Sequence, residues 1–332
     1  MSHHVPPRGV WCPAVTFFNP DTDELQLDAQ AQYFGYLSTT GLAGLVVLGT
    51  NAETFLLTRE ERKQLVATCR EAVGPRFPIM AGVGGHSTRQ VLQHISDAAD
   101  AGADSVLLLP PAYFASATTP QVLEAFYRDV ATQSSLPIVV YNFPGVCNGI
   151  DLDSAFITTM AQRHPNIVGV KLTCGSVAKI VRLAAVLPKD QFAIFGGQAD
   201  FLLGGLSSGS SGCIAAFANV FPKTLSCIYS LYQDGKIDEA LALHQKAALA
   251  EQPIKAGIAG TKYAAAVHSA TYAGIDNAAA LLRPRRPYLE PLAAIKLRVV
   301  SEMAEVAQIE QSLSLPFTAP VPCAQFQMAA RL

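Results

Sequence analysis

One lysine lies inside an otherwise apolar segment of the sequence. Lys171 belongs to the run 167–173, and it is the only Asp, Glu, Lys or Arg within the eight short apolar runs of the chain. Burial disfavours the charged ammonium form, and a neutral amine can attack a ketone carbon to form a Schiff base. The alternative is a lysine at a strand end whose side chain reaches solvent. The pattern favours covalent chemistry at Lys171.

Two further motifs carry groups that could assist such chemistry. Tyr141 lies near the end of the run 137–142, and its phenol could move the proton released when a carbinolamine becomes an imine. A tyrosine whose hydroxyl only finds a structural partner is the alternative. The loop Gly49-Thr-Asn-Ala-Glu53 follows another run, and its N–H groups and hydroxyl could hold a carboxylate. Alone, such a loop is more often a simple turn between strand and helix.

Other signals for cofactors are weak. Glycine-rich turns at 82–86, 196–197 and 207–212 are compatible with phosphate binding, but tight turns also need glycine. The seven histidines form no pair at metal-ligand spacing, so neither a metal nor another cofactor is expected. Seven widely spaced cysteines predict free thiols in a reducing compartment rather than a disulfide framework.

Composition excludes several classes of protein. The 332 residues carry 24 basic and 26 acidic side chains, and this near-neutral balance argues against a nucleic-acid partner. Half of the residues are hydrophobic, so we expect a large core. No apolar run reaches the ~18 residues that a membrane span needs. The amino terminus has no apolar stretch typical of a secretory signal, which favours the cytoplasm. The last three residues, 330–332, resemble a peroxisomal address.

The apolar runs alternate with stretches of helical periodicity. This pattern predicts a parallel sheet covered by helices, either an open doubly wound sheet or a (β/α)8 barrel. Eight evenly spaced runs, and the lack of a Gly-x-Gly-x-x-Gly motif after the first, favour the barrel. The predicted strands are 10–17, 44–49, 78–84, 105–110, 137–142, 167–173, 192–197 and 212–219. The predicted helices are 28–40, 58–73, 88–101, 119–134, 153–163, 177–187, 199–206 and 222–233.

The alternation divides the chain into four regions. We expect an amino-terminal arm at 1–9, a catalytic barrel at 10–235, a helical subdomain at 236–313 and a loose tail at 314–332. Within the helical subdomain, 237–250 has the clearest helical pattern.

A lysine near the carboxyl end of the sixth barrel strand would point into the barrel mouth, where the active sites of this fold lie.

Three motifs follow one another along the chain: Gly49-Thr-Asn-Ala-Glu53, Tyr141-Asn-Phe-Pro144 and Gly169-Val-Lys171. Together and in this order they resemble the motifs of the dihydrodipicolinate synthase / N-acetylneuraminate lyase superfamily. The resemblance implies a pyruvate-dependent class I aldolase on a (β/α)8 barrel, with no cofactor beyond the covalent Schiff base. It implies that Lys171 forms this Schiff base and that Tyr141 relays protons. Thr50 would hydrogen-bond Tyr141, and Thr50 with Asn51 would bind the carboxylate of a 2-oxo acid.

The same resemblance extends to the pocket wall and to assembly. Tyr113 matches a tyrosine that family members lend across a dimer interface to the neighbouring site. Gly197 matches a pocket-lining glycine after the seventh strand, and Ile214 matches a position in the pocket wall. The resemblance therefore implies a homotetramer built as a dimer of dimers.

Departures from the synthase pattern narrow the reaction. The arginine that grips the aldehyde substrate in the synthases is replaced by Val146, and Asn51 replaces a threonine. The loop at 49–53 and the run 164–171 are similar to those of 4-hydroxy-2-oxoglutarate aldolases. We therefore expect cleavage of a 4-hydroxy-2-oxo acid to pyruvate and an aldehyde such as glyoxylate. The alternatives are a 2-keto-3-deoxy sugar acid aldolase, dihydrodipicolinate synthesis, and a non-catalytic barrel that binds a keto acid.

Overall fold

Eight parallel strands close into a barrel. The computed structural model describes residues 4–315, and in it each strand pairs with the next while β8 pairs with β1. The predicted (β/α)8 barrel is therefore confirmed. The strands are β1 Gly9–Pro13, β2 Gly44–Val47, β3 Ile79–Gly82, β4 Ser105–Leu108, β5 Ile138–Asn142, β6 Ile167–Leu172, β7 Ala193–Gly196 and β8 Gly212–Ile214.

A helix follows each strand, and six more complete the part of the chain that is described. The helices after the strands are α1 Leu27–Ser38, α2 Arg59–Val73, α3 Thr88–Asp100, α4 Pro120–Gln133, α5 Ser154–Arg163, α6 Val177–Ala184, α7 Leu202–Ser207 and α8 Pro222–Gln233. The carboxyl-terminal helices are α9 Ile237–Ala250, α10 Ile258–Val267, α11 Ser269–Tyr272, α12 Ala278–Leu281, α13 Ala293–Glu302 and α14 Ala304–Ser312. No helix between residues 4 and 315 is long and apolar enough to cross a membrane.

Several elements differ from prediction at their ends. β1 and β8 are shorter than their apolar runs, because the chain turns while it remains buried. Gly9 already belongs to β1, so the amino-terminal arm ends one residue earlier than predicted. α7 begins at Leu202 rather than at residue 199. The N–H groups of Ala199 and Asp200 instead donate to the carboxylate of Glu251, at 3.3 and 2.8 Å. The predicted tail lies, from residue 316 onward, outside the described residues.

The buried side chains form two separate cores. One cluster joins strand residues with residues of the surrounding helices. The other draws side chains from all eight strands and must therefore fill the barrel interior. Tyr141 and Ile214 belong to this interior cluster. Site residues on the strands are consequently held by close packing within the barrel.

The carboxyl-terminal helices are tied to the barrel through buried polar contacts. The Tyr33 hydroxyl on α1 donates to the Asn219 carbonyl at 2.8 Å and lies 3.0 Å from the Ser269 hydroxyl on α11. Glu310 on α14 accepts from the N–H groups of Lys223 and Thr224, at 2.9 and 2.7 Å, in the first turn of α8. A carboxylate at a helix amino terminus is favoured by the helix dipole. These contacts position the appendage against the barrel.

Candidate active site

Lys171 and Tyr141 face each other on neighbouring strands. They are register partners on β6 and β5, and only 2% and 3% of their respective surfaces are exposed. The Lys171 Nζ lies 4.2 Å from the centroid of the Tyr141 ring. The structure therefore places an amine and a phenol side by side among the carboxyl-terminal residues of the barrel strands.

A β-bulge in β6 aims Lys171 at the barrel interior. The pairing moves from Ile138–Ile167 to Val139–Gly169, which leaves Val168 as an extra residue. Val168 belongs to the interior cluster, whereas Val170 belongs to the outer one. Strict alternation from Val168 would put Val170 inside and Lys171 outside. The extra residue reverses this alternation, as bulges near active sites commonly do.

Thr50 completes a cluster of three polar side chains. Its Oγ1 lies 3.3 Å from the Tyr141 hydroxyl. Thr50 begins a short 3-10 turn, Thr50–Ala52, after β2. The Ala52 carbonyl accepts a bond from the Thr16 hydroxyl at 2.8 Å, which ties this turn to the loop after β1. Lys171, Tyr141 and Thr50 are thus brought together by three different strand ends.

Backbone strain precedes this turn. Leu48 has a φ of 65°, a left-handed conformation that is uncommon for a residue other than glycine. Its carbonyl oxygen packs against Gly82 on β3, where a Cβ would lie only 1.9 Å from that oxygen. Strain of this kind persists only when the surroundings hold it in place. Gly82 therefore provides the space that lets the chain turn towards Thr50.

Replacing Gly82 tests this support. Gly82→Ala should lower the free energy of unfolding by about 3 kcal/mol, because the new methyl group meets backbone that cannot yield easily. It should also lower kcat/KM by roughly 10-fold, because displacement of Leu48 carries Thr50 with it. Urea unfolding and steady-state kinetics measure the two effects.

The matched control for this substitution should change the free energy of unfolding in the opposite direction. Gly35 lies within α1 and has no atom near the position that a Cβ would occupy. Gly35→Ala should raise the free energy of unfolding by about 0.5–1 kcal/mol and leave kinetics unchanged. A Gly82→Ala protein as stable and active as the wild type would contradict the proposed role of Gly82.

A buried arginine fixes the same region from the outside. Arg62 on α2 donates to the carbonyls of Gly82 and Gly84, at 3.1 and 3.3 Å, and contacts His94 Nε2 at 2.9 Å. Burial lowers the pKa of Arg62 to about 10 and, with the nearby Arg62 charge, lowers the pKa of His94 to about 4. His94 is therefore neutral and can accept a bond from Arg62 at neutral pH. Sequence reasoning missed this pair.

Three other predicted site residues lie on or directly after barrel strands. Ile214 is fully buried in the interior cluster. Gly197 follows β7 and packs so tightly that a Cβ would lie 2.1 Å from Thr173 Oγ1. Asn51 is the second residue of the turn that begins at Thr50 and is partly exposed. Their part in substrate binding stays a prediction.

Tyr113 lies apart from the three clustered residues. Its side chain is 73% exposed, and its ring centroid is 6.0 Å from that of His86 and 5.0 Å from that of Phe114. The Phe55 ring stacks on the His86 ring, with the centroids 5.7 Å apart. These four rings form an exposed aromatic patch. Within one chain, the structure gives Tyr113 no contact to Lys171 or Tyr141.

Thr173 is a candidate that sequence reasoning missed. It follows Lys171 by two residues, and its hydroxyl is buried without a hydrogen-bond partner among the described residues. A buried polar atom without a protein partner costs free energy, so this hydroxyl is a candidate partner for a ligand group or an ordered water. Its one sequence signal is its position directly after the strand that carries Lys171.

The loop after β5 lacks a cation where the synthases carry one. Val146 occupies that position and is 45% exposed. Asn142 Nδ2 donates to Asp151 at 2.7 Å, and Asp151 also pairs with the buried ammonium of Lys179. The Leu152 N–H donates to Asn142 Oδ1 at 2.9 Å. The loop is thus fixed at both ends and presents an apolar side chain.

Other possible centres of chemistry are sparse in the described part of the chain. Residues 4–315 contain no group of three or more His, Cys, Asp or Glu side chains that could hold a metal ion. The six cysteines in this range are free thiols, and five of them are buried. Burial raises the pKa of the Cys147 thiol to about 11, so this thiol is protonated at neutral pH.

Curated relatives share most of the chain. A protein of Coccidioides immitis is 66% identical over 314 residues, which cover 95% of this chain and all of that protein. It carries a provisional name as a mitochondrial 4-hydroxy-2-oxoglutarate aldolase. The L-threo-3-deoxy-hexylosonate aldolase of Hypocrea jecorina is 37% identical over 320 residues, covering 92% of this chain and 98% of its own.

The expected cytoplasmic or peroxisomal location is wrong. The Coccidioides relative is named as mitochondrial. So is a provisionally named 4-hydroxy-2-oxoglutarate aldolase of Emericella nidulans, which is 36% identical over 312 residues, 92% of this chain and 96% of its own. The tripeptide at 330–332 lies outside the described residues. An ending of three residues is too short to outweigh similarity along the whole chain.

Solved structures and a family model agree with these relatives. The crystal structure of a dihydrodipicolinate synthase family protein from C. immitis matches with a TM-score of 0.89 and 64% identity over 95% of this chain and 100% of that one. An E. coli K12 prophage protein of the same family, solved with pyruvate, matches with a TM-score of 0.81 and 26% identity over 90% and 98%. The model of the dihydrodipicolinate synthetase family matches residues 6–301. The resemblance seen in the three motifs is confirmed, and the chain belongs to the dihydrodipicolinate synthetase family.

Proposed function

We propose that this protein is a Schiff-base-forming aldolase that cleaves 4-hydroxy-2-oxo acids to pyruvate and an aldehyde such as glyoxylate. The observation that carries the proposal is the cluster of Lys171, Tyr141 and Thr50, which the ends of strands β6, β5 and β2 bring together inside the barrel. The names of the Coccidioides and Hypocrea relatives support an aldolase, and the pyruvate complex of the E. coli relative supports a 2-oxo acid ligand.

The arrangement of these three side chains supports the following steps of imine formation. Lys171 attacks the C2 carbonyl carbon as the neutral amine, and a proton moves from the nitrogen to the former carbonyl oxygen to give a carbinolamine. Tyr141 gives a proton to that hydroxyl, which leaves as water, and the C=N bond of an iminium forms. The Thr50 hydroxyl, 3.3 Å away, orients the phenol and accepts or donates its hydrogen bond. The iminium then withdraws electrons from C3.

Carbon–carbon cleavage uses the same phenol in its other protonation state. The Tyr141 phenolate takes the proton of the C4 hydroxyl, the C3–C4 bond breaks, and its electron pair moves into an enamine conjugated with the Lys171 nitrogen. The aldehyde departs. Tyr141 returns its proton to C3, which restores the iminium. Water then adds to C2, the Tyr141 phenolate takes back the proton that hydrolysis releases, and pyruvate and free Lys171 result.

The surrounding turns divide the substrate between them. We assign the carboxylate next to C2 to the N–H groups and hydroxyl of the turn at Thr50 and Asn51. We assign the far end of the substrate to the unpartnered hydroxyl of Thr173, which lies against Gly197. Both assignments give hydrogen-bond partners to polar groups that ordered water would otherwise have to satisfy.

Val146 argues against the synthase reaction. Without a guanidinium in this loop, the carboxylate of aspartate semialdehyde loses a charge-assisted bidentate partner. A 2-keto-3-deoxy sugar acid aldolase is the second candidate function. A neutral polyol end needs no cation near Val146, and the Hypocrea relative bears a name of this type.

We further propose that the chain acts in mitochondria as a dimer of dimers. The exposed aromatic patch of Phe55, His86, Tyr113 and Phe114 supports pairing through this face, because large exposed apolar patches mark interaction sites. In a single chain, Tyr113 lies in solvent. Pairing through this face would carry it into the active site of the neighbouring subunit.

A substrate panel with a Thr173 variant tests the assigned specificity. The wild type should release pyruvate faster from 4-hydroxy-2-oxoglutarate than from 2-keto-3-deoxy sugar acids. Thr173→Val should lower kcat/KM for 4-hydroxy-2-oxoglutarate by about 10–100-fold, because a hydrogen bond to a charged group contributes about 1.5–3 kcal/mol. Thr132→Val, on the exposed face of α4, is the matched control. Faster turnover of the sugar acids, or an unaffected Thr173 variant, would contradict the assignment.

A further inference from the structure

A buried ion pair joins the carboxyl-terminal helices to the turn that carries Thr50. The Lys262 Nζ on α10 lies 2.6 Å from Glu53 Oε1, and the two side chains are 0% and 3% exposed. Removing two charges from water costs more free energy than their mutual attraction usually returns, unless further hydrogen bonds satisfy the two groups. The steps described above use neither residue, so the pair needs a separate explanation.

Both charged groups have further partners in the carboxyl-terminal region. Glu53 Oε2 accepts from the N–H of Arg285 at 2.8 Å. Lys262 Nζ also donates to the Arg283 carbonyl at 2.8 Å and lies 4.6 Å from the centroid of the Phe18 ring. A carboxylate with two donors and an ammonium with two acceptors and an aromatic face make a satisfied network. Such a network fixes one geometry.

The residue held by this network also ends the active-site turn. Glu53 has a φ of 57°, and its N–H donates to the Thr50 carbonyl at 3.0 Å. Its own carbonyl accepts from the N–H of Leu56 at 2.8 Å. The left-handed backbone of Glu53 is uncommon for its residue type and needs outside support. The position of the Glu53 carboxylate therefore determines where the Thr50 hydroxyl lies.

We infer that Lys262 is a positioning residue of the aldolase site: through Glu53, its ammonium holds the turn that sets the Thr50 hydroxyl against Tyr141. This inference rests on the proposed function, because it assigns Lys262 an effect on that reaction. The carboxyl-terminal helices thereby form part of the catalytic framework, although they lie outside the barrel. The line of contact runs from Lys262 through Glu53 and Thr50 to Tyr141.

The position of Lys262 also predicts a dependence on pH. Burial lowers the pKa of Lys262 to about 8, against the opposing effect of Glu53. The charged groups that face its ammonium are Glu53 and, farther away, Asp23, while Arg285 lies over the same Phe18 ring. As the pH rises through about 8, Lys262 loses its proton and Glu53 loses its cation. The Thr50 turn then loses its support, and kcat should fall.

Three variants test the inference together. Lys262→Met should lower kcat at neutral pH by about 100-fold, the effect of a small misplacement at a reacting centre. Lys262→Arg keeps the cation at every accessible pH, so it should retain activity and move the alkaline fall in kcat to higher pH. The double variant Lys262→Met/Glu53→Gln leaves no unpaired buried charge. We therefore expect it to fold even if the single variant does not, and its kcat should still be low.

Controls separate this inference from the proposed function. Lys246→Met removes an ion pair with Glu305 between α9 and α14, away from the site, and should leave kcat and its pH profile unchanged. Borohydride with pyruvate should still modify Lys171 in every Lys262 variant. Failure to trap the wild type would overturn the proposed function. If the double variant is trapped normally and keeps the wild-type kcat, the role of Lys262 is overturned while the proposed function stands. The same holds if the alkaline fall in kcat stays at the same pH in Lys262→Arg.

Discussion

Lys171→Met should reduce pyruvate release to the uncatalysed rate, a loss of about 10⁶-fold or more, because enzymes accelerate reactions by at least that factor in most cases. Lys171 is the only amine that the structure places beside Tyr141 within the described residues. Without it no imine can form at C2, and the C3–C4 electron pair has no acceptor. The measurement is pyruvate release in a coupled assay at saturating substrate.

The methionine variant should remain folded. Methionine has nearly the length of the lysine stem and suits the apolar walls around it, so the free energy of unfolding should not fall. Lys189→Met, at an exposed position after α6, is the matched control and should keep wild-type kcat. Substantial turnover by folded Lys171→Met would mean that the reaction does not pass through this amine.

Tyr141→Phe should lower kcat by about 10³-fold, within the 10²–10⁴-fold range of general acid–base catalysis. The variant keeps the ring, whose centroid lies 4.2 Å from Lys171 Nζ, and loses only the hydroxyl near Thr50. Both imine formation and cleavage of the C3–C4 bond use that hydroxyl. The rate at which borohydride traps pyruvate should therefore fall together with kcat, while KM changes less.

Another buried phenol provides the comparison for Tyr141. Tyr127 is fully buried in the outer core, and its hydroxyl lies 3.4 Å from the Leu108 carbonyl. Tyr127→Phe removes the same atom at a similar depth and should leave kcat unchanged. Equal effects of the two substitutions would indicate a general response of the barrel to a lost hydroxyl and would argue against a proton relay at Tyr141.

The barrel could be predicted because its signals are local. Each strand is an apolar run and each helix has its own periodicity, so α8 and α9 begin and end at the predicted residues. The ends of β1 and β8 could not be predicted in the same way. Phe17 is as deeply buried as the strand itself although the chain has already left the sheet, so hydrophobicity does not mark the strand end.

The candidate site could be predicted most directly where a residue type was unusual for its surroundings. Lys171 meets that condition as a charge within an apolar run. The bulge at Val168 does not, because it appears only in the pairing of two strands. Thr173 becomes a candidate only when its hydroxyl is seen to lack a partner. Glu53 and Lys262 are 209 residues apart, and only the folded chain brings them together.

Trapping of the imine by borohydride tests the central claim most directly. The protein is incubated with pyruvate, reduced, digested and analysed by mass spectrometry. The account predicts that the peptide containing Lys171 gains the mass of pyruvate less one water plus two hydrogens, in a reaction that needs both reagents. An unmodified Lys171, or an adduct on another lysine of a protein that turns over 4-hydroxy-2-oxoglutarate, would contradict it.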